Sequence, residues 1–373
     1  MSNLLRDLSQ LCGQSPWVDN LKRSYLTDGT LAGLVERGVR GVTSNPSIFQ
    51  KAISSSHDYD VAFGEMVRAE SSIDDAYWAL VCDDVAHACD ILATVHSESL
   101  GVDGYVSLEV SPLLAEDTAG TSNSARALHE RLGKANLMVK IPATAAGIPA
   151  IATMIGEGRS INVTLIFSLE RYDDVIEAYI SGLEAFAKAG AIDLSGVASV
   201  ASFFISRVDT EVDRRLGTIG TSDAAVLQGK AAVAQGVLAY QLFLNRFSGP
   251  RWERLAALGA RVQRPLWAST STKNPAFPDT LYVDTLIGPN TVNTLPENTL
   301  EAFADHGTAV RTVDSISSIV EANQVFTGLE KVGVDMADVA RVLESEGVSS
   351  FVKSFDELLA TLQGRAEELR SGS

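Results

Sequence analysis

The sequence predicts an α/β fold, a (β/α)8 barrel with additional helices after the second strand and at the C-terminus. Three observations carry this. Eight short apolar runs each end in a polar residue. Helix-like segments separate them, which implies parallel pairing with right-handed crossovers. The chain has 373 residues, long for one ordinary domain but suited to one barrel with insertions. An open doubly wound sheet is the alternative, but the phosphate fingerprint G-x-G-x-x-G is missing after the first strand.

The first run is S-P-W-V-D-N, with Asp19 at its end. T-D-G-T-L-A-G-L-V-E-R-G then reads as a helix, with Thr27 as N-cap and Gly38 beyond its end. G-V-T-S-N-P-S-I-F is the second strand and ends at Asn45-Pro46. A long helix-patterned insertion follows over 47–100. G-Y-V-S-L-E-V-S is the third strand, and its alternation puts Ser107, Glu109 and Ser111 on one face. A helix near 123–132 leads to L-M-V-K-I-P-A-T at 137–144, the fourth strand, with Lys140 at its centre. After a helix over 147–155 comes I-N-V-T-L-I-F-S, where Asn162 and Thr164 share a face. Ser168 caps the next helix, which runs to about Lys188. V-A-S-V-A-S-F-F-I-S-R is the sixth strand and ends with Ser202 and Arg207. Helical segments run on to about Leu258. R-P-L-W-A-S-T-S-T-K-N is the seventh strand, with a polar tail, and T-L-Y-V-D-T-L-I-G-P-N-T-V the eighth. Helical patterns such as S-F-D-E-L-L-A-T-L fill the remainder. No short repeat, low-complexity tract or Pro/Ser-rich linker interrupts the chain, so residues 1–373 are expected to form a single domain.

Hydrophobic residues make up 46 % of the chain, enough for a large core. The formal charge of −17 excludes nucleic acid and an anionic membrane as expected partners. An anionic substrate therefore needs a local cluster of Arg or Lys. No apolar run reaches the roughly 18 residues of a spanning helix. The start, M-S-N-L-L-R-D-L-S-Q, carries early charge and no apolar h-region, unlike a signal peptide. Cys12, Cys82 and Cys89 are too sparse, and odd in number, for a disulfide framework, which fits a reducing, cytoplasmic setting.

In a barrel the C-terminal ends of the strands converge. Asp19, Asn45, Glu109, Lys140, Thr164 and Ser202 should therefore surround one site. Turn chemistry explains any one of them, but six around a lysine ask for more. An ammonium among Leu, Met, Val and Ile is costly unless it is paired or loses its proton. Lysines of this kind form Schiff bases. A free lysine titrates near ~10.4, so only about one amine in a thousand or fewer is neutral at pH 7. Attack on a carbonyl needs that neutral form. The resulting iminium is an electron sink beside a carbon–carbon bond, and breaking the bond needs a base for a hydroxyl proton. Asp19 and Glu109 are the available carboxylates, and Thr164 and Ser202 are placed to orient a water between them and the substrate. This is class I aldolase logic, with an amine nucleophile and no metal or other cofactor. Arg207 and Lys273 follow serine-bearing strand ends, S-F-F-I-S-R and A-S-T-S-T-K. Hydroxyls, backbone N–H groups and a guanidinium fork together suit a phosphate.

Other groupings are weaker. Neither H-E-x-x-H nor C-x-x-C occurs. Cys82 and Cys89 share a helix face from which His87 points away, so core packing is expected there. His57, His96, His129 and His306 have no partner at triad-like spacing, and Asp83-Asp84 reads as a solvated helix face.

Taken in order, G-V-T-S-N-P-S-I-F, V-S-L-E-V-S, L-M-V-K-I-P-A-T, I-N-V-T-L-I-F-S, F-F-I-S-R-V-D and W-A-S-T-S-T-K-N-P resemble the transaldolases over nearly the whole chain. The resemblance implies a barrel of the Schiff-base aldolase type. It also implies a pentose-phosphate reaction: a dihydroxyacetone unit moves from sedoheptulose 7-phosphate to glyceraldehyde 3-phosphate, giving erythrose 4-phosphate and fructose 6-phosphate. By matching positions, Lys140 resembles the Schiff-base lysine and Asp19 the acid/base aspartate. Glu109 and Thr164 resemble the pair that holds the catalytic water. Asn45, Asn162 and Ser202 resemble residues that bind substrate hydroxyls, and Arg207 and Ser269 resemble phosphate contacts. Where many members carry an arginine shortly after that serine, this chain carries Ser271-Thr272-Lys273. Lysine is a point charge, not a bidentate fork. The implied partners are sugar phosphates, and the oligomeric state stays open between monomer and homodimer.

Three other readings compete. A fructose 6-phosphate aldolase-like enzyme of the same superfamily would release free dihydroxyacetone. Those chains are much shorter and typically differ at the place of Glu109. A metal-dependent aldolase would need clustered histidines. A non-catalytic sugar-phosphate-binding barrel would not need the lysine, the two carboxylates and the hydroxyl set together.

Overall fold

The computed structural model describes residues 3–371; the outermost positions of the expected 1–373 unit lie outside the described residues. Eight parallel strands close into a barrel in chain order, with the last pairing back onto the first. They are β1 (Gln14–Val18), β2 (Val42–Thr43), β3 (Val106–Glu109), β4 (Leu137–Pro142), β5 (Ile161–Ile166), β6 (Ser199–Phe204), β7 (Arg264–Ala268) and β8 (Thr291–Leu295). Every residue of these strands is buried. One face of each strand fills the barrel and the other lies under helices, which is why the runs read as near-continuously apolar.

Helix α1 (Leu4–Gln10) precedes the barrel, and α2 (Arg23–Thr27) and α3 (Thr30–Arg37) join β1 to β2. The insertion after β2 is α4 (Pro46–Ser54), α5 (Asp60–Arg68) and α6 (Ile73–Glu98). A single 3-10 turn, Pro112–Leu114, leads from β3 to α7 (Thr118–Leu132). α8 (Gly147–Gly156) follows β4, and α9 (Leu169–Lys188) follows β5. After β6 come α10 (Ser206–Ile219), α11 (Ser222–Ala225), α12 (Ala231–Arg246) and α13 (Gly249–Ala256). The short α14 (Leu281–Asp284) precedes β8, and α15 (Glu297–His306), α16 (Ile316–Lys331) and α17 (Met336–Ser371) end the described chain. Among the described residues no helix is long and apolar enough to cross a membrane.

Local chemistry sets several helix starts. Asn45 caps α4, its Oδ1 accepting from the Ile48 N–H at 2.9 Å with Pro46 opening the helix. Ser168 caps α9 as expected, accepting from the Arg171 N–H at 3.0 Å.

Four expectations are corrected. Thr27 ends α2 and does not cap α3; its hydroxyl turns back to the Arg23 and Ser24 carbonyls, and Asp28 accepts the Thr30 N–H at 2.8 Å. The 280–292 run is not one strand. Its first part coils into α14, where Thr280 Oγ1 donates to Asp284 Oδ2 at 2.6 Å, and β8 starts only at Thr291. β8 reads T-V-N-T-L and escapes an apolar scan, because its polar side chains bond inside the barrel: Thr270 Oγ1 donates to Asn293 Oδ1 at 3.0 Å. Ser111 lies past the end of β3, at the start of the 3-10 turn. Finally, Asp84 is not solvated. It is 1 % exposed and accepts from Arg23 Nε at 2.7 Å and from the Tyr59 hydroxyl at 2.8 Å.

Trp17 on β1 is fully buried and precedes Asp19 by two residues, the repeat that keeps side chains on one side of a strand. Gly41 lies against it so closely that a Cβ would fall 2.5 Å from the indole ring. Gly41→Ala should therefore lower stability in urea by about 1–3 kcal/mol, the usual range for overpacking.

Candidate active site

The floor of the site follows from strand register. Lys140 pairs with Glu109 on β3 and with Asn162 on β5. Lys140 is 4 % exposed, its Nζ 3.2 Å from Glu109 Oε2 and donating to the Ser44 carbonyl at 3.0 Å. Burial raises the pKa of Glu109, while the neighbouring ammonium pulls it back. Asp19 stands just past β1. Its Oδ1 accepts from Thr43 Oγ1 at 2.6 Å. That hydroxyl's only proton being used, Thr294 donates to Thr43 at 2.5 Å. Burial raises the pKa of Asp19 too, opposed by the Thr43 hydrogen bond and the charges of Lys140 and Lys273.

A polar layer runs across three strands. Ser202 Oγ donates to Asn162 Oδ1 at 2.7 Å, and Asn162 Nδ2 donates to Ser107 Oγ at 3.0 Å. Thr164 Oγ1 is buried and, among the described residues, bonds to no protein group.

Above this floor lies a cavity of about 500 Å³. Asp19, Asn45, Lys140, Thr164 and Ser202 line it. Glu109 does not: it sits behind Lys140 and reaches the cavity through it. Asn162 likewise lies fully buried behind Ser202. Five of the six strand-end residues thus face one space, and the sixth touches the central lysine.

The remaining wall is cationic. Arg207 lies in the first turn of α10, not on the strand end where the sequence placed it. Its guanidinium carbon is 5.3 Å from the centre of the Phe204 ring. Burial lowers its pKa, and Glu346 opposes the shift. The pKa of Lys273 is lowered by burial and by the charges of Arg207 and Lys51. Among the described residues none of these three cations makes an ion pair, and all three line the cavity. Ser269 also lines it; its Oγ is 3.0 Å from Ser206 Oγ, and its carbonyl accepts the Ser206 N–H at 3.1 Å.

Sequence reasoning missed Lys51, Ser47, Asn298 and Phe351, which also line the cavity. Lys51 had a legible signal. It lies four residues after Ser47 on the helix that Asn45 opens, hence on the same face. Phe351 comes from α17, and no local pattern announces it.

Chemically, the arrangement offers one amine nucleophile, two buried carboxyls able to take and return protons, a set of hydroxyl and amide groups for a polyol, and a cationic wall for a small anion.

Comparison with known proteins agrees. The family model described as Transaldolase/Fructose-6-phosphate aldolase matches residues 16–362. The chain is 52 % identical over 365 residues to a transaldolase of Parafrankia sp. (strain EAN1pec), covering 97 % of this chain and 98 % of that protein. It is 50 % identical to a transaldolase of Frankia alni over 100 % of both chains. It is also 50 % identical to a transaldolase of Mycobacterium leprae (strain TN), covering 96 % of this chain and 95 % of the other. This chain therefore belongs to the transaldolase/fructose-6-phosphate aldolase family.

Proposed function

We propose that this protein is an enzyme of the transaldolase type, which transfers a dihydroxyacetone unit from sedoheptulose 7-phosphate to glyceraldehyde 3-phosphate through a Schiff base on Lys140. The observation that carries the reading is a buried lysine against one carboxyl, facing a second carboxyl across a cavity with an unpaired cationic wall.

Each residue has one task in this reading. Lys140 gives up a proton and its Nζ adds to the ketose C2 carbonyl; loss of water leaves an iminium. Asp19 takes the C4 hydroxyl proton as the C3–C4 bond breaks, and the electron pair moves into the iminium to give an enamine. The aldose phosphate leaves. The acceptor aldehyde then takes the enamine carbon, Asp19 returns the proton, and water releases the product ketose. Glu109 and Thr164 hold and activate the water for formation and hydrolysis of the imine. Asn45, Asn162 and Ser202 bind the polyol hydroxyls. Arg207, Ser269, Lys273 and Lys51 bind the phosphate, Lys51 and Lys273 together supplying the charge that a second arginine supplies elsewhere. The same reading takes residues 1–373 as one unit, supported by the packing of α17 on α4, α5, α6 and α10. It also assigns the protein to the cytoplasm, supported by three buried free thiols.

Borohydride reduction with fructose 6-phosphate, followed by mass mapping, tests the central step. A dihydroxyacetone-sized adduct on Lys140, unaffected by EDTA, is expected. Lys140→Ala should give no adduct and no turnover while keeping its fold; activity within tenfold of wild type would sink the proposal. Arg207→Ala should raise KM for phosphorylated substrates about tenfold or more, the scale of a lost charged hydrogen bond. Lys51→Ala should raise it a few-fold, with kcat little changed in either, and a loss confined to kcat would contradict phosphate binding.

The carboxyls must be ionised to act as bases. Their pKa values are raised by burial, so the acid limb of kcat/KM should fall at higher pH than for ordinary carboxylates, above about 4.5. A profile flat down to pH 4 would speak against both as bases.

A further inference from the structure

The strand that carries Thr164 is not regular. The pairing of β5 with β6 shifts register between Val163 and Ile166. Within that interval Leu165 has a φ of +60°. A bulky L-residue rarely takes this left-handed backbone, because its Cβ crowds the following carbonyl. Strain of this kind persists only where the surroundings hold it.

The element packed against this point is α17. Leu165 is 1 % exposed, and its Cδ2 would lie 3.0 Å from a Cβ placed on Gly347, with the Phe167 ring 3.5 Å away. Gly347 does not have a left-handed backbone, so its own conformation does not demand glycine. Glycine is a poorer helix former than alanine, and the close approach to Leu165 is what accounts for it here. One turn further on, Phe351 lines the cavity. Ser354 Oγ lies 2.7 Å from the Oγ of Ser47, in the first turn of α4. Residues 347, 351 and 354 follow the i, i+4, i+7 spacing of one helix face. A single face of α17 therefore meets the distorted strand, the cavity and the helix that Asn45 opens.

We propose that Gly347 and Leu165 are positioning residues: through their contact α17 holds the irregular turn of β5, and this keeps the Thr164 hydroxyl turned into the cavity. Thr164 Oγ1 has no protein partner among the described residues, so its direction comes from the backbone. On one side that backbone is tied by the Thr164 carbonyl, which accepts the Ala143 N–H at 2.7 Å. On the other side it is tied by Leu165. The proposal rests on the Schiff-base reading given above, in which Thr164 helps to hold the reacting water.

The test is a double-mutant cycle on the full chain, with kcat and KM measured for dihydroxyacetone transfer from fructose 6-phosphate to erythrose 4-phosphate. Gly347→Ala should lower kcat at least five-fold, keep KM for fructose 6-phosphate within two-fold, and leave the thermal midpoint no lower than wild type. A merely structural glycine would show the reverse pattern. Leu165→Ala removes the atoms that the new methyl group would push. The double variant should therefore be no slower than Leu165→Ala alone, the signature of residues acting through one contact. A kcat for Gly347→Ala within two-fold of wild type would overturn the proposal. So would losses that multiply in the double variant, or a Gly347→Ala chain that does not fold. Borohydride labelling of Lys140 should reach the wild-type extent in Gly347→Ala. Absence of label in the wild type would refute the Schiff-base reading itself, so the labelling arm and the kinetic arm fail separately.

Discussion

Two opposite charges buried together, the Lys140 ammonium and the Glu109 carboxylate, are the constraint around which the rest of the site is arranged. Removing an ion from water costs several kcal/mol, and only a well-held partner offsets that cost. Here the partner is held by register. β3 and β4 set the two residues side by side, and a slip of one residue would turn each strand's whole side-chain set over. In the Schiff-base reading the pair also answers a chemical need. A lysine cannot attack a carbonyl while it keeps its proton, and a carboxyl with raised proton affinity lies next to it. Asp19 stands apart from this exchange, tied to Thr43, so the two carboxyls need not share one duty.

Charge is distributed on two scales. The chain as a whole is strongly acidic, which repels extended polyanions. The cavity wall carries three cations without ion-pair partners among the described residues. Their field is short in range, since screening acts over roughly 8 Å at physiological salt. A small phosphorylated molecule that reaches the cavity feels the local sign, and a long polyanion feels the global one.

Much of this was legible in the sequence. Strands announced themselves where both faces are apolar, as in L-M-V-K-I-P, and their ends supplied Asp19, Asn45, Lys140, Thr164 and Ser202. β8 was misplaced because its polar side chains turn into the barrel, where Asn293 accepts from Thr270, and no hydropathy pattern shows this. Asp84 looked solvated because its partners, Arg23 and Tyr59, lie far off in sequence. Glu109 and Asn162 were found as residues, but their place behind the cavity wall was not, since depth depends on how the strands tilt and close. Phe351 and Gly347 were invisible for a related reason: a helical pattern tells that α17 has an apolar face, not what that face covers.

The order in which the chain is made gives the distant origin of Phe351 a further meaning. The lysine and its carboxylate partner are synthesised early, on neighbouring strands, whereas β8, which closes the barrel onto β1, comes much later. The part of the cavity wall from α17 follows later still, roughly two hundred residues after Lys140. At about 5–20 residues per second, that is an interval of roughly 10–40 s during translation. Through that interval a growing chain on the ribosome already carries the lysine but not the part of the wall that α17 supplies. The contact with Glu109 can form as soon as the third and fourth strands meet, so the buried amine has its partner well before the cavity around it is complete.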